Sequence, residues 1–316
     1  MTYRRGAVSF EPETLAAGLS SFAPAAAITG DPAAGYRRYY HLDFLSNGQP
    51  VRHHIGVVRS GAHRIVAQLF SQTAARGTVV VCHGYYDHVG LYGHLIGFLL
   101  DAGYDVLTFD QPGHGLSSGP RATIGSFDEY VAALADTLAA AGDRLVRPWH
   151  IVGQSMGGAV TMEYLVQHGT RDFGRVALLA PLIRPANWGR SRIVYEIARR
   201  TITERPRVLT PNAENPEFLE LLAVDPLSPR TLPVAWVTAM VAWMTRFERY
   251  GELPFRPLVV QGHADQTVGW KRNLRTLRRM TEPEVLEIPA ARHHLVNESE
   301  DIRRQMFEWL APRFLD

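Results

Sequence analysis

Cysteine is nearly absent from this chain: 316 residues hold one, Cys82. No intrachain disulfide is possible, which suits a reducing compartment, and the cytoplasm is the expected location. Long hydrophobic runs are missing too. No uninterrupted apolar stretch reaches the roughly 18 residues of a membrane-spanning helix, so none is expected. The opening segment, Met1 to Phe10, is charged early and has no apolar core, so no secretory signal is expected. Neither sign of charge is in excess. With 33 basic and 31 acidic residues the formal net charge is +2, which argues against an extended nucleic-acid surface or a polyanionic partner. Internal repeats and low-complexity segments are lacking, apart from an Ala-rich lead.

What is present is an ordinary globular composition, 46% apolar and 20% charged, in a chain long enough to bury a large core. Residues 1–35 read as a partly ordered arm, with a short helix near Glu11 to Leu19. Tyr36 to Phe44 and Val51 to Arg59 alternate in polarity around the turn signal Ser46-Asn47-Gly48-Gln49, which predicts a hairpin. Arg64 to Phe70 predicts one more strand. Apolar strands then alternate with helical stretches: Thr78 to Cys82, Leu91 to Ala102, Asp105 to Phe109, Phe127 to Ala141, Trp149 to Val152, Gly158 to His168 and Arg175 to Ala180. Ser126 and Gly142 suit the two caps of the second helix. That alternation implies a parallel sheet covered on both faces. It stops at Pro181, and from about Pro185 to Gly251 helical periodicity broken by prolines follows, with no strand expected. It resumes at Pro257 to Gln261, Lys271 to Met280, Val285 to Ile288 and Ile302 to Phe314. The expected fold is therefore α/β, a mostly parallel sheet split by a helical insertion. The divisions are an arm (1–35), a first core part (36–184), a lid or cap (185–251) and a second core part (252–316).

The chemistry gathers where strands end, since ligands of open α/β sheets sit beyond the carboxyl ends of the strands. His150-Ile151-Val152-Gly153-Gln154-Ser155-Met156-Gly157-Gly158 reads as strand, sharp turn and helix, with glycine two residues either side of a serine. This is the form of a nucleophile elbow. A hydroxyl becomes a useful nucleophile only when a base takes its proton. The helix N-terminus behind it supplies free N–H groups for a developing oxyanion. Downstream, Asp265 in Gly262-His263-Ala264-Asp265 is placed to orient an imidazole. Pro289 to Glu298 offers two histidines, His293 and His294, and spacing alone leaves the choice between them open. Ser155, Asp265 and either histidine follow the chain order Ser…Asp…His. Adjacent histidines rarely chelate one ion, and further ligands are lacking, so no metal is expected. The main-chain N–H groups of Tyr85 and Met156 suit a two-donor oxyanion hole. His83 suits a structural role. The Gly-rich Asp110 to Gly119 lacks a P-loop ending and reads as a loop fastened by Asp110 and Ser117. Cys82 reads as a small buried hydrophobe.

These residues together resemble the serine α/β-hydrolase superfamily, and within it the monoacylglycerol lipase and lysophospholipase group once catalogued with serine aminopeptidases. The resemblance rests on His83-Gly84-x-x-Asp87-His88, Phe109-Asp110-x-x-Gly113-His114-Gly115-x-Ser117, Gly153-x-Ser155-Met156-Gly157-Gly158, Gly262-x-x-Asp265-x-x-Val268 and His293-x-Leu295-x-x-Glu298, spread over about 78–300. It implies the α/β-hydrolase fold and a Ser155–His293–Asp265 triad, with His293 rather than His294 as base. It also implies hydrolysis of a small-molecule or lipid ester without a cofactor. Tyr85 is bulkier than the residue usual at its position.

In the insertion, Trp236, Met240, Trp243, Met244 and Phe247 make one apolar helical stripe. The stripe either packs the lid onto the sheet or lines an acyl pocket. Arg190, Arg192, Arg199, Arg200, Arg205 and Arg207 form a solvated face or give transient contact with a membrane surface. A serine at the elbow argues against the carboxylate nucleophile of a dehalogenase or epoxide hydrolase. The alternatives left open are a proline-type aminopeptidase using Glu196, Glu204, Glu214, Glu217 or Glu220, a carbon–carbon-bond hydrolase, an acyltransferase, and a binding protein on the same fold.

Overall fold

The computed structural model describes residues 9–24, 31–46, 48–208 and 210–315, with the backbone alone at Leu315. In chain order the elements are α1 (Pro12–Gly18), α2 (Ala34–Tyr39), β1 (Arg52–Ser60), β2 (His63–Ser71), β3 (Thr78–Cys82), α3 (Gly93–Asp101), β4 (Asp105–Phe109), α4 (Phe127–Ala141), β5 (Trp149–Gln154), α5 (Met156–His168) and β6 (Phe173–Leu179). There follow α6 (Trp188–Ala198), α7 (Pro216–Val224), α8 (Val234–Phe247), β7 (Leu258–Gly262), α9 (Trp270–Met280), β8 (Glu284–Ile288) and α10 (Glu300–Leu315).

One eight-stranded sheet runs in the order β8-β7-β6-β5-β3-β4-β2-β1. Strands β4 to β8 and β3 are mutually parallel, while β1 and β2 are antiparallel at one edge. Every residue of β3, β4 and β7 is buried, as expected for strands covered on both faces. Alternate residues feed two cores. Val80, Leu107, Ile151 and Leu178 pack with α4, α5 and α8. Val79, Val81, Val106 and Val152 pack with α3 and α10. The predicted cap at Ser126 is present as a capping box with Glu129, and Gly142 ends α4. Among the described residues no helix is long and apolar enough to cross a membrane.

Three sequence expectations are corrected. Tyr36 to Phe44 is not a strand: Ala34–Tyr39 is helical. Its apparent alternation places Tyr36 and Tyr40 one helical turn apart, both buried, with ring centroids 5.1 Å apart. The hairpin partner of β1 is β2, joined across Gly61, and the turn signal at 46–49 closes only a two-residue ribbon, Leu45–Ser46 with Gln49–Pro50; Asn47 lies outside the described residues. The insertion is not strand-free, because Glu204–Pro206 pairs antiparallel with Thr231–Pro233. The proline-broken periodicity hid two segments too short to show alternation.

Part of the arm is also more firmly held than expected. Leu15, Leu19 and Phe22 are buried, and Phe22 N–H donates to the Val57 carbonyl at 2.9 Å. Residues 1–8 and 25–30 of the arm lie outside the described residues.

Candidate active site

Ser155 stands between β5 and α5 with φ 53° and ψ −115°. A non-glycine residue at positive φ is strained, and the surrounding bonds hold it there. Its N–H donates to the Leu179 carbonyl at 2.9 Å, and its own carbonyl accepts from Leu182 at 3.0 Å and Ala159 at 3.2 Å. Position 157 must lack a side chain, because a Cβ there would run into the Cys82 carbonyl at the end of β3. The elbow is thus pressed against the neighbouring strand.

The turn after β3 lies against it. A Cβ built on Gly84 would be 3.4 Å from the Ser155 Cβ. The amide of Tyr85, next in the chain, is therefore one residue removed from contact with the serine, and Met156 opens α5 directly after it. His83 is tied down: its Nδ1–H donates to the Gly84 carbonyl at 2.8 Å, and its Nε2 accepts from the Gln111 N–H at 2.9 Å. Burial lowers its pKa to about 3, so it stays neutral. The Asp110 loop is fastened at both expected points. The Asp110 carboxylate accepts from Val89 and Leu116, each at 2.8 Å, and Ser117 Oγ donates to the Asp110 carbonyl at 2.5 Å. Cys82 is fully buried, and burial pushes its thiol up to about 12.

Asp265 follows β7 and His293 follows β8, and the fold brings both to the serine. Ser155 Oγ donates to His293 Nε2 at 2.9 Å. His293 Nδ1–H donates to Asp265 Oδ2 at 2.7 Å. The other carboxylate oxygen of Asp265 accepts from the N–H groups of Thr267 at 2.7 Å and Val268 at 3.0 Å. All three side chains are buried. Burial alone would raise the Asp265 carboxyl, but the His293 imidazole and the two N–H bonds outweigh it and hold the pKa below the ordinary carboxylate value. Burial alone would lower His293, and the Asp265 charge and hydrogen bond reverse that and raise it. The group can therefore carry a proton between hydroxyl and water while the carboxylate stays ionised.

Several residues that the sequence offered only as motif positions or as an alternative base take definite partners here, and Asp225, which it did not offer, joins them. Glu298, fully buried, accepts from the Arg292 N–H at 2.5 Å and the Glu214 N–H at 2.7 Å. It clamps the His293 loop to the insertion, which gives the His-x-Leu-x-x-Glu spacing a physical reason. His294 Nε2 lies 3.1 Å from Asp87 Oδ1, within ion-pair reach but without hydrogen-bond alignment. Asp87 Oδ2 accepts from Tyr92 at 2.9 Å. His88 Nε2–H donates to Asp225 Oδ2 at 2.8 Å, and Asp225 Oδ1 accepts from Tyr40 at 2.7 Å, wholly out of water. Partners 137 and 185 positions apart leave no local signal in a sequence.

The apolar stripe of α8 divides. Trp236 stacks on the Tyr85 ring, 3.6 Å between centroids and 16° between planes. Trp243 faces away from that turn. It stacks on Phe127 at 5.0 Å, and its indole N–H donates to buried Glu163 at 3.0 Å. Met240, Met244 and Phe247 are buried in the same core.

The chain also has relatives among known proteins. The profile of the family described as serine aminopeptidase, S33, matches residues 73–300. A monoacylglycerol lipase of Mycolicibacterium smegmatis is 27% identical over 252 residues, covering 76% of this chain and 89% of that protein. A soluble variant of the Saccharomyces cerevisiae monoglyceride lipase, solved with a substrate analog, superposes with a TM-score of 0.70 at 16% identity, covering 85% of this chain and 95% of the other. The monoacylglycerol lipase of Paleococcus ferrophilus gives a TM-score of 0.67 at 23% identity, covering 78% and 98%. At these identities the two solved structures speak for the fold alone. The family match spans more than half of the chain, and on that ground the chain belongs to the serine aminopeptidase S33 family, as a serine hydrolase of the α/β-hydrolase fold similar to monoacylglycerol lipases.

Proposed function

We propose that this chain hydrolyses a carboxylic ester of a lipid, a monoacylglycerol or a lysophospholipid, through a Ser155–His293–Asp265 triad. The carrying observation is the unbroken hydrogen-bonded line from Ser155 Oγ through His293 to Asp265, at 2.9 and 2.7 Å. His293 takes the serine proton as Ser155 Oγ attacks the ester carbonyl. Asp265 fixes the imidazole with Nδ1 protonated and stabilises its charged form. The N–H groups of Tyr85 and Met156 receive the tetrahedral oxyanion. His293 then gives its proton to the departing alcohol, and a water deprotonated by His293 releases the acid. Ser155→Ala removes the nucleophile, and turnover of a p-nitrophenyl ester should fall by about 10⁴-fold or more, along with loss of fluorophosphonate labelling. Wild-type turnover in that variant sinks the assignment.

Residues 185–251 act as the lid over this site. Trp236 supplies its acyl-facing surface, on the strength of the Trp236–Tyr85 stack, while Met240, Trp243 and Met244 seat the helix. The outer face of α6 exposes Ile193, Val194 and Ile197, each about two-thirds accessible, between Arg190, Arg192, Arg199 and Arg200. Apolar side chains interleaved with arginine suit brief contact with a lipid surface. Ile193→Ser/Ile197→Ser should reduce co-sedimentation with anionic liposomes, and unchanged sedimentation removes this role. The aminopeptidase alternative needs a lid carboxylate for the substrate amine. Of the five candidates, Glu196 is engaged by Arg199 at 2.7 Å and Glu214 by Arg292 at 3.4 Å.

A further inference from the structure

A cation stands beside the turn that bears Tyr85. Arg207 follows the short strand Glu204–Pro206 of the insertion, and its guanidinium carbon lies 4.1 Å from the centroid of the Tyr86 ring. Its Nη1 donates to Ser228 Oγ at 2.8 Å and to the Pro229 carbonyl at 3.2 Å. Both acceptors are neutral, and among the described residues Arg207 enters no ion pair. Three other arginines packed into the fold behave differently. Arg37 meets Asp31 and Asp43, Arg184 meets Glu248, and Arg246 meets Asp128 and Glu163. Those pairings raise the three guanidinium pKa values, whereas burial lowers that of Arg207 and the charge of Asp87 offsets this only in part. Asp87 is itself engaged by Tyr92 and His294.

The partner ring is held at a cost. Tyr86 has φ 71°, a left-handed conformation that a bulky residue avoids. Its ring lies 4.1 Å from that of Tyr85. The guanidinium is thus fixed on one face by an aromatic ring and at one nitrogen by Ser228 and Pro229, and its remaining N–H edge has no anion. A planar fork of donors in that state matches a phosphate or carboxylate.

We propose that Arg207 determines specificity by receiving an anionic phosphate on the alcohol portion of the ester, so that the preferred substrate is a phosphate-bearing lysolipid rather than a neutral monoacylglycerol. The inference rests on the ester-hydrolase reading above. The acyl chain of such an ester is uncharged, so the headgroup is the part that has a charge to offer.

The test compares lysophosphatidic acid with the monoacylglycerol of the same chain. The wild-type protein should favour the phosphorylated ester in kcat/KM. Arg207→Gln should lower that preference by about 10- to 100-fold, as expected for losing a charge-assisted hydrogen bond. Arg207→Lys keeps the charge without the fork and should fall between; it carries the test if the Gln variant does not fold. Arg205→Gln, an exposed neighbour, should keep the wild-type ratio. Glycerol 3-phosphate should compete with the phosphorylated ester better than inorganic phosphate does. An unchanged ratio in Arg207→Gln, an equal fall in Arg205→Gln, or equal competition by inorganic phosphate overturns the proposal. If Ser155 is labelled by a fluorophosphonate and neutral esters turn over, such a failure touches this inference alone. If no ester turns over and no labelling occurs, the ester-hydrolase reading fails instead.

Discussion

At the elbow, two residues show how much is asked of a few atoms. Gly157 has no room for a side chain, since the Cys82 carbonyl fills the space a Cβ would need. Gly157→Ala must push β3 and α5 apart, and about 1–3 kcal/mol of stability should be lost, read as a lower urea midpoint. His293 sets the pH response. It must be neutral to accept the serine proton, and its folded pKa lies above the ordinary histidine value of about 6.5 because of Asp265. Activity on a p-nitrophenyl ester should therefore fall as pH drops, with a midpoint above about 6.5. Asp265→Asn removes the charge that raises His293, so the midpoint should move down while kcat falls by about 10⁴-fold. A midpoint that stays in place in Asp265→Asn would assign the limb to another group. The three residues of the proposed triad could be picked out in the chain because each sits in its own turn signal. The choice of His293 over His294 came from the resemblance; His293 is the one with Nε2 2.9 Å from Ser155 Oγ.

Among the elements of the insertion, α8 is attached to α5 through a buried carboxylate. Glu163, fully buried on α5, accepts from Trp243 at 3.0 Å, Arg246 at 2.9 Å, Tyr250 at 3.0 Å and Gln167 at 2.8 Å. A buried carboxylate with four donors is satisfied, and removing a donor with its ring is costly. Trp243→Ala should lose about 3–5 kcal/mol in urea unfolding. A loss near zero would show that the insertion is seated elsewhere. The stripe of α8 was readable from its spacing, but its division was not, because periodicity reports a face and not what covers it. Ala34–Tyr39 was misread for a related reason. Buried Tyr36 in this six-residue helix and buried Tyr40 just past its end satisfy both a period of two and a period near four. Tertiary packing, here with Phe10 at 5.5 Å from Tyr36, decides between them. The anchors Glu163 and Asp225 had no local signature at all, being defined by partners far away in the chain.

For the whole molecule, buried histidines couple folding to pH. Burial lowers the pKa of His53 and His114 to about 4 and that of His83 to about 3. Each is then protonated more readily in the unfolded chain, so each withdraws stability as pH falls from about 6.5 towards those values. His88 and His293, raised by their carboxylates, act in the opposite sense. Burial also lowers His54, His94 and His150, and six lowered groups against two raised ones predict a thermal midpoint that declines between about pH 6.5 and 4. A flat midpoint across that window would contradict the buried, neutral state of these rings. The sheet order has a further consequence, for the making of the protein. The proposed nucleophile follows β5, an inner strand, while its proposed base follows β8, an edge strand and the last to leave the ribosome. A chain still under synthesis can display the serine on a formed elbow and yet be chemically mute, so reaction with an acylating probe would report that translation had run past the final strand.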